Sequence, residues 1–139
     1  MKRFFLVVAV LGIIMCSGIV FLAFYAEDNA IEAYAALPTS IRIENDTMNL
    51  GTVKYGEKRQ LSFRVTNTGE HPLFIHDVKP SCGCTGVDWK KHPIAPEKSV
   101  DVRVVFEPTS LGHFRKSIDV LCNTALHVHQ VYLKGEVVE

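Results

Sequence analysis

Two cysteines one residue apart, Cys82 and Cys84, are the residues of this sequence best suited to chemistry. Thiolates form disulfides, exchange with other thiols and bind soft metal ions such as zinc or copper. Gly83 relaxes the backbone enough for a disulfide across the pair, but so tight a ring is expected to depart from usual bridge geometry and to be reduced easily. Three interpretations stay open: a structural bridge or tight turn, a redox pair, and a soft-metal site.

A third cysteine, Cys122, alternates along one predicted strand with Ile118 and Val120. This alternation places the three side chains on one buried face, so Cys122 is predicted to act as a small buried hydrophobe. The alternative is a structural bridge from Cys122 to Cys82 or Cys84. Because three cysteines follow residue 40, at least one thiol of this part of the chain has no partner within it.

Support for a redox or a metal role of Cys82 and Cys84 is weak. Thiol oxidoreductases place Cys-x-x-Cys at the start of a helix, whose dipole lowers the thiolate pKa, and no helix is predicted after Cys84. A metal site needs further ligands, and His127 and His129, which alternate on one predicted strand face, are more often solvated there. Cys82 and Cys84 are therefore the only metal candidates, and no cofactor is predicted.

Motifs of catalysis and of nucleic-acid binding are missing from the sequence. There is no Gly-rich phosphate loop, no His-Glu-x-x-His and no defensible Ser-His-Asp order, so no catalytic residue is assigned and no enzyme is expected. Lys+Arg and Asp+Glu both number 15, which gives no net field to attract nucleic acid. Trp89 and Phe74 are candidates for a binding surface, although a single Trp in a sandwich more often packs in its core.

An apolar segment at residues 4–26 contains no charged residue and no proline. At about 1.5 Å per helical residue it is long enough to cross a hydrocarbon core of about 30 Å. Lys2 and Arg3 precede it, whereas Glu27 and Asp28 follow it, which predicts a cytoplasmic N-terminus at residues 1–3 and an exported remainder. The sequence therefore predicts a single-pass signal anchor in the bacterial inner membrane with a periplasmic domain.

A cleaved signal peptide is the alternative, since Ala33-Tyr34-Ala35 has the small-x-small pattern of a cleavage site. This site lies farther from the apolar run than is usual, which favours a retained anchor. Lipid attachment at Cys16 is disfavoured because Met15 is not small, so Cys16 is read as a packing residue. Both the anchor and the signal peptide export the domain.

Residues 27–40 are expected to form a juxtamembrane linker, and the pattern changes to period two in residues 41–139. Alternating apolar residues separated by turn signals, with no helix-length insertion, predict an all-β, immunoglobulin-like antiparallel sandwich of about seven strands. A bulge near Gln130 is expected, because Leu126 and Val128 alternate out of phase with Val131 and Leu133.

The run from Leu61 to Ile75 and the motif Ser81-Cys82-Gly83-Cys84-Thr85 resemble the bacterial family called domain of unknown function 1573. Further features follow in the family's order, namely a proline turn at Pro96, Gly112-His113-Phe114, Asn123 at a strand end and a last strand with Gly135. The resemblance covers residues 49–138. It implies an immunoglobulin-like sandwich, similar to modules that support binding in surface, ciliary or chaperone-type proteins, without an established activity. One departure is Glu97, since the family usually has Gly there.

The sequence thus favours a membrane-anchored, periplasmic, non-catalytic module that uses a sheet face or an edge strand to contact a protein partner. The alternative function is a thiol-redox or soft-metal-binding domain centred on Cys82 and Cys84.

Overall fold

A computed structural model of the chain describes residues 19–21, which are helical and exposed, and residues 37–139. Within these ranges no helix has the length and apolar character required to cross a membrane. The predicted span at 4–26 lies outside the described residues apart from 19–21, as do Cys16, the Ala33-Tyr34-Ala35 pattern and most of the linker. These expectations stay predictions.

Alternating apolar and polar residues build eight strands in Leu37–Glu139, because alternate side chains on a strand point to opposite faces. The strands are β1 Ile41–Glu44, β2 Thr47–Lys54, β3 Arg59–Asn67, β4 Ile75–Pro80, β5 Thr85–Asp88, β6 Ser99–Phe106, β7 Gly112–Cys122 and β8 Val128–Val138.

Two four-stranded sheets form the sandwich, one in the order β1-β3-β6-β5 and the other in the order β2-β8-β7-β4. The chain changes sheet between β1 and β2, at Asn45 and Asp46, and again between β4 and β5, at Ser81–Cys84. The cysteine motif therefore lies at one of the points where the backbone passes from one layer to the other.

The predicted sandwich is confirmed, and the described residues form eight strands where about seven are expected. Two strands give weak signals in the sequence: β2 is interrupted by Gly51 in the left-handed region (φ 62°), and β5 has only four residues, including Gly86. The prediction of a fully antiparallel sandwich is wrong, since β2 pairs with β8 in parallel. Alternation fixes which face of a strand is buried, but it does not fix the direction of the neighbouring strand.

The core lies between the sheets and consists mainly of β-branched and aromatic side chains. Phe63, Phe106, Ile118 and Leu133 are among its fully buried members. Each such side chain stabilises the fold by about 1.5–3 kcal/mol relative to exposure. Phe106 also stacks on Phe114, with ring centroids 4.7 Å apart.

The expected bulge near Gln130 is wrong, because β7 and β8 pair without interruption from Gly112↔Val137 to Leu121↔Val128. Leu126 belongs to the turn before β8 and is 75% exposed, and Val128 is also exposed. These two residues do not face the core, so no change of phase has to be accommodated.

The domain begins a few residues before the predicted boundary at Ile41, because the segment Leu37–Ser40 is attached to it. The backbone N–H of Thr39 donates to the Asn123 carbonyl at 2.9 Å, and the side-chain amide of Asn123 donates to the Leu37 carbonyl at 2.9 Å. Part of the predicted linker is thus bound to the sandwich.

Candidate functional site

Cys82 and Cys84 are joined by a disulfide at the crossover from β4 to β5, with Cα atoms 5.3 Å apart. This separation lies in the usual range for disulfides, whereas the sequence suggested an unusual geometry. The crossover is held on both sides. The Ser81 N–H donates to the Ser117 carbonyl at 2.8 Å, and the Glu107 N–H donates to the Cys84 carbonyl at 2.9 Å.

The hydroxyl of Thr85 lies beside both sulfur atoms of the disulfide. Its Oγ1 atom is 3.5 Å from Cys82 Sγ and 4.0 Å from Cys84 Sγ, and Thr85 is buried while the two cysteines are half-buried. In the reduced form, a hydroxyl at this position can donate to a thiolate and stabilise its charge. The site therefore combines partial access with a hydrogen-bond donor for a sulfur anion.

Cys122 is a buried free thiol and is not joined to Cys82 or Cys84. It is 2% exposed and faces the core, where the sequence analysis placed it. Its Sγ atom lies 3.7 Å from the hydroxyl of Thr124, which in turn lies 2.8 Å from Nε2 of His129. Burial raises the pKa of the Cys122 thiol and lowers the pKa of His129, so the charged form of each group is disfavoured and the thiol is less reactive.

His127 and His129 do not share a strand face, which corrects the prediction from their alternation. His127 has a φ of 58° in the turn that precedes β8, whereas His129 lies within β8 and pairs with Thr124. Among residues 19–21 and 37–139, no group of three or more His, Cys, Asp or Glu side chains is placed to hold a metal ion. As a disulfide, Cys82 and Cys84 offer no thiolate for a metal.

A groove of about 1030 Å³ lies on the sheet β1-β3-β6-β5, at its β5 side. We call it the Arg103 groove. Its lining includes the outward-facing side chains of three neighbouring strands and the residues that follow β5, among them Gln60, Ser62, Asp88, Trp89, Lys90, His92 and Arg103. Ser62 and Asp88 lie directly opposite Arg103 in the pairing of β3 and β5 with β6, so the three side chains form one row across the sheet.

The side chains of this row form no hydrogen bond or ion pair with any described residue, although Asp88 and Arg103 are cross-strand neighbours. One row further along the sheet the polar groups are paired: Arg64 binds Asp101 in a bidentate ion pair with an Nε to Oδ1 distance of 2.8 Å. This pairing lowers the pKa of Asp101 and raises the pKa of Arg64, mainly through their hydrogen bond, and the attraction between their charges acts in the same direction. The side chains of Ser62, Asp88 and Arg103 are therefore free to bind a partner, whereas Asp101 is already bound.

The outer face of the other sheet is a useful contrast because its central polar side chains bind one another. The guanidinium of Arg115 lies over the ring of Tyr132, 4.4 Å from its centroid. The Tyr132 hydroxyl donates to Gln130 at 2.7 Å, and the Gln130 amide donates to Asp119 at 3.0 Å. This face has little unsatisfied hydrogen-bonding capacity at its centre.

The four edge strands are poorly suited to pairing with an additional strand. β1 and β5 have four residues each. β2 is interrupted around Gly51, and β4 loses its register between Ile75 and Asp77 and ends on Pro80. Short, bulged or proline-terminated edges are features that limit edge-to-edge association.

Trp89 follows β5, lines the Arg103 groove and packs partly against the core. The ammonium of Lys91 lies 5.2 Å from its ring centroid. The indole Nε1 is buried and finds no hydrogen-bond acceptor among the described residues. Trp89 thus combines the core packing expected from the sequence with a position at the groove.

Sequence reasoning missed the residues at the centre of the groove, Ser62, Asp88 and Arg103. Alternation in β6 does mark Arg103 as an outward-facing residue. The lack of a partner depends on which strands are neighbours and on the orientation of side chains, and no pattern along the chain encodes these.

Comparison with known proteins identifies the family and the fold. The family model "Protein of unknown function (DUF1573)" matches residues 41–137. "Spindle-defective protein 2" of Caenorhabditis briggsae is 30% identical over an alignment of 105 residues that covers 73% of this chain, and the chain spans only 11% of that protein's length.

Two solved structures are similar in fold. A protein of unknown function from Porphyromonas gingivalis W83 has a TM-score of 0.63 at 19% identity, over 73% of this chain and 48% of that one. The ASH / PapD-like domain 7 of human CEP192 has a TM-score of 0.61 at 17% identity, over 73% of this chain and 87% of that domain. The sandwich is therefore of the PapD-like, immunoglobulin-like kind. The family resemblance seen in the Ser81–Thr85 motif and the surrounding strands is confirmed: the chain belongs to the DUF1573 family.

Proposed function

We propose that this domain is a non-catalytic protein-binding module that contacts its partner through the Arg103 groove. The observation that carries this proposal is the row Ser62, Arg103 and Asp88, whose side-chain polar groups are unpaired inside a groove, while in the row on one side Arg64 and Asp101 bind each other. Because these side chains bind nothing within the domain, no internal interaction has to be broken when a partner binds them.

Two further observations support a face rather than an edge as the contact surface. The edge strands are short or interrupted, which disfavours the addition of a strand from a partner. The related sequence in Spindle-defective protein 2 is a small part of a much longer protein, as expected for a module that serves a larger assembly. Because one fold serves many functions, the fold alone does not indicate a role, and the proposal rests on the groove.

Photo-crosslinking in the native cell envelope tests this proposal. A photoreactive amino acid replaces Ser62 in the groove or, as a matched control, the exposed Lys134 on the outer face of the other sheet. We expect a discrete protein adduct from position 62 and none from position 134. No adduct at position 62, or the same adducts at both positions, would overturn the proposal.

We further propose that the apolar segment at residues 4–26 anchors this module in the inner membrane, with the domain in the periplasm. The support is the long uncharged run and the positive charges at Lys2 and Arg3 before it. A C-terminal tag should be digested when protease is added to spheroplasts, and the chain should stay in the membrane fraction after an alkaline wash. A protected tag or a washed-out chain would contradict this topology.

A second candidate function is thiol–disulfide exchange, which the half-buried Cys82–Cys84 bridge beside Thr85 favours. A thiolate of an external dithiol would attack one sulfur and form a mixed disulfide, and its second thiol would then release the domain. The external dithiol ends oxidised, and Cys82 and Cys84 end as thiols that carry its two protons.

Mass spectrometry of thiols in the native protein, with and without reductant, distinguishes the roles of the bridge. Exchange predicts free or readily exchanging thiols at Cys82 and Cys84, and a C82S/C84S variant that folds but no longer exchanges. A bridge that stays closed, together with a double variant that unfolds, would show that it is structural.

A further inference from the structure

The chemistry of the Arg103 groove indicates what kind of polypeptide it accepts, and this inference rests on the binding function proposed above. Arg103 lies at the centre of the groove on β6, between Ser62 on β3 and Asp88 on β5. Its guanidinium forms no ion pair or hydrogen bond with any described residue. A guanidinium has five donors in a planar fork that matches a carboxylate.

Among the charged side chains that line the groove, more cations than carboxylates are unpaired. The lining contains two cationic side chains, Lys90 and Arg103, and two carboxylates, Asp88 and Asp101. The bidentate pair with Arg64 already occupies Asp101. Asp88 is therefore the only described carboxylate of this set that can still offset Arg103 and Lys90, and the groove carries a local positive excess although the whole chain has none.

The shape of the groove suits an extended chain better than a compact small molecule. Its volume of about 1030 Å³ lies at the upper limit of ordinary ligand pockets, about 300–1000 Å³. In the next row of the sheet Gly86 lies opposite Val105, so the β5 side of this row carries no side chain. Gln60 and Ser62 add uncharged donors and acceptors along β3.

We propose that the Arg103 groove binds an extended acidic segment of a protein partner, with a glutamate or aspartate side chain paired to Arg103. Gln60 and Ser62 form hydrogen bonds with the N–H and C=O groups of the segment's backbone. Lys90 attracts a second acidic side chain, and Asp88 opposes the binding of carboxylates close to Arg103.

Trp89 provides a direct readout, because it is the only tryptophan of the chain and it lines the groove. The full chain in detergent is titrated with a short blocked peptide in which glutamate alternates with serine, while tryptophan emission is followed. Peptides with glutamine or lysine in place of glutamate serve as probes of charge. We expect a saturable change with the glutamate peptide only, which weakens as salt is added.

Substitutions on the two outer faces provide matched variants. R103Q should weaken binding of the glutamate peptide by about tenfold, since it removes a charged pair. R115Q, which changes the arginine of the other outer face, should leave the affinity unchanged. D88N should strengthen binding by about threefold because it removes a repelling carboxylate from an exposed site. Arg103 and Asp88 are exposed, so these variants are expected to fold.

The outcomes separate this inference from the function on which it rests. No emission change with the glutamate peptide, or equal affinities of R103Q and R115Q, overturns the acidic ligand, and a persisting adduct at position 62 would then leave the binding module intact. Loss of both the peptide signal and the adduct overturns both proposals. Tighter Arg103-dependent binding of single-stranded DNA or of anionic vesicles would replace the acidic polypeptide with a phosphate ligand.

Discussion

Asn67 binds Thr39 across 28 residues of sequence: the Oδ1 atom of Asn67 accepts a hydrogen bond of 2.9 Å from the Thr39 hydroxyl. The same oxygen accepts from the Gly69 N–H at 3.1 Å. The amide nitrogen of Asn67 donates to the carbonyls of His71 and Ile94, at 2.8 and 2.9 Å. One fully buried side chain thus ties the Leu37–Ser40 segment and the loop after β3 to the interior.

Replacing Asn67 with alanine should therefore lower the free energy of unfolding by about 3 kcal/mol, because several buried groups lose their partners at once. Asn49 is the matched control: it is exposed, and its side chain accepts one hydrogen bond, from the Gly51 N–H. Urea denaturation of N67A and N49A measures the difference. Similar losses in the two variants would contradict the role given to Asn67.

The sequence marks Asn67 only as the start of a turn, which shows where prediction from sequence ends. The alternation of apolar residues identifies the sandwich and most of its strands, because burial repeats every second residue. Two of the four partners of Asn67, Thr39 and Ile94, lie 28 and 27 residues away in the sequence, so no local pattern reveals them. The parallel pairing of β2 and the free guanidinium of Arg103 depend in the same way on spatial neighbours. The pairing of Cys82 with Cys84 is favoured by proximity alone, yet the sequence does not decide between disulfide, redox and metal roles.

Gly69 should tolerate no side chain, because the Leu37–Ser40 segment lies directly against it. A Cβ atom at this position would overlap the Thr39 hydroxyl oxygen and lie 2.7 Å from the backbone nitrogen of Ser40. G69A is expected to destabilise the domain by about 2 kcal/mol, as overpacking typically does. The control is G83A between the two bridged cysteines, where a Cβ would meet nothing within 4 Å. Thermal unfolding compares them, and an equally stable G69A would show that the segment can move away freely.

Glu97 occupies a backbone conformation that favours glycine. Its φ is 63°, and the Lys98 N–H donates to the Ala95 carbonyl at 3.1 Å, so Pro96 and Glu97 are the central residues of a type II turn. Glycine, which the family resemblance implies at this position, adopts this geometry without strain. E97G should raise the free energy of unfolding by about 1 kcal/mol, because a non-glycine residue is disfavoured in the left-handed region.

The control for Glu97 is Glu70, an exposed loop residue that is not among the described residues with positive φ. E70G should be neutral or slightly destabilising, since glycine there only adds freedom to the unfolded chain. Chemical denaturation at neutral pH measures both variants. A stability gain in E70G equal to that in E97G would refute the conformational explanation.

His129 should make the domain less stable in mild acid. Burial lowers its pKa, so at a pH below its unfolded value of about 6.5 the unfolded chain binds more protons than the folded domain. The stabilisation is complete above that value, and it is lost as the pH falls from about 6.5 through the lower folded pKa.

H129Q removes the titrating group and leaves a side chain that can still bind the Thr124 hydroxyl, which lies 2.8 Å from Nε2 of the native histidine. Urea denaturation between about pH 7.5 and 5 should therefore show a smaller pH dependence in H129Q than in the native protein. H127Q, which changes an exposed turn histidine two residues earlier, is the matched control and should retain the native pH dependence. If H129Q and the native protein lose stability equally over this range, the titration of the half-buried His129 is not the cause.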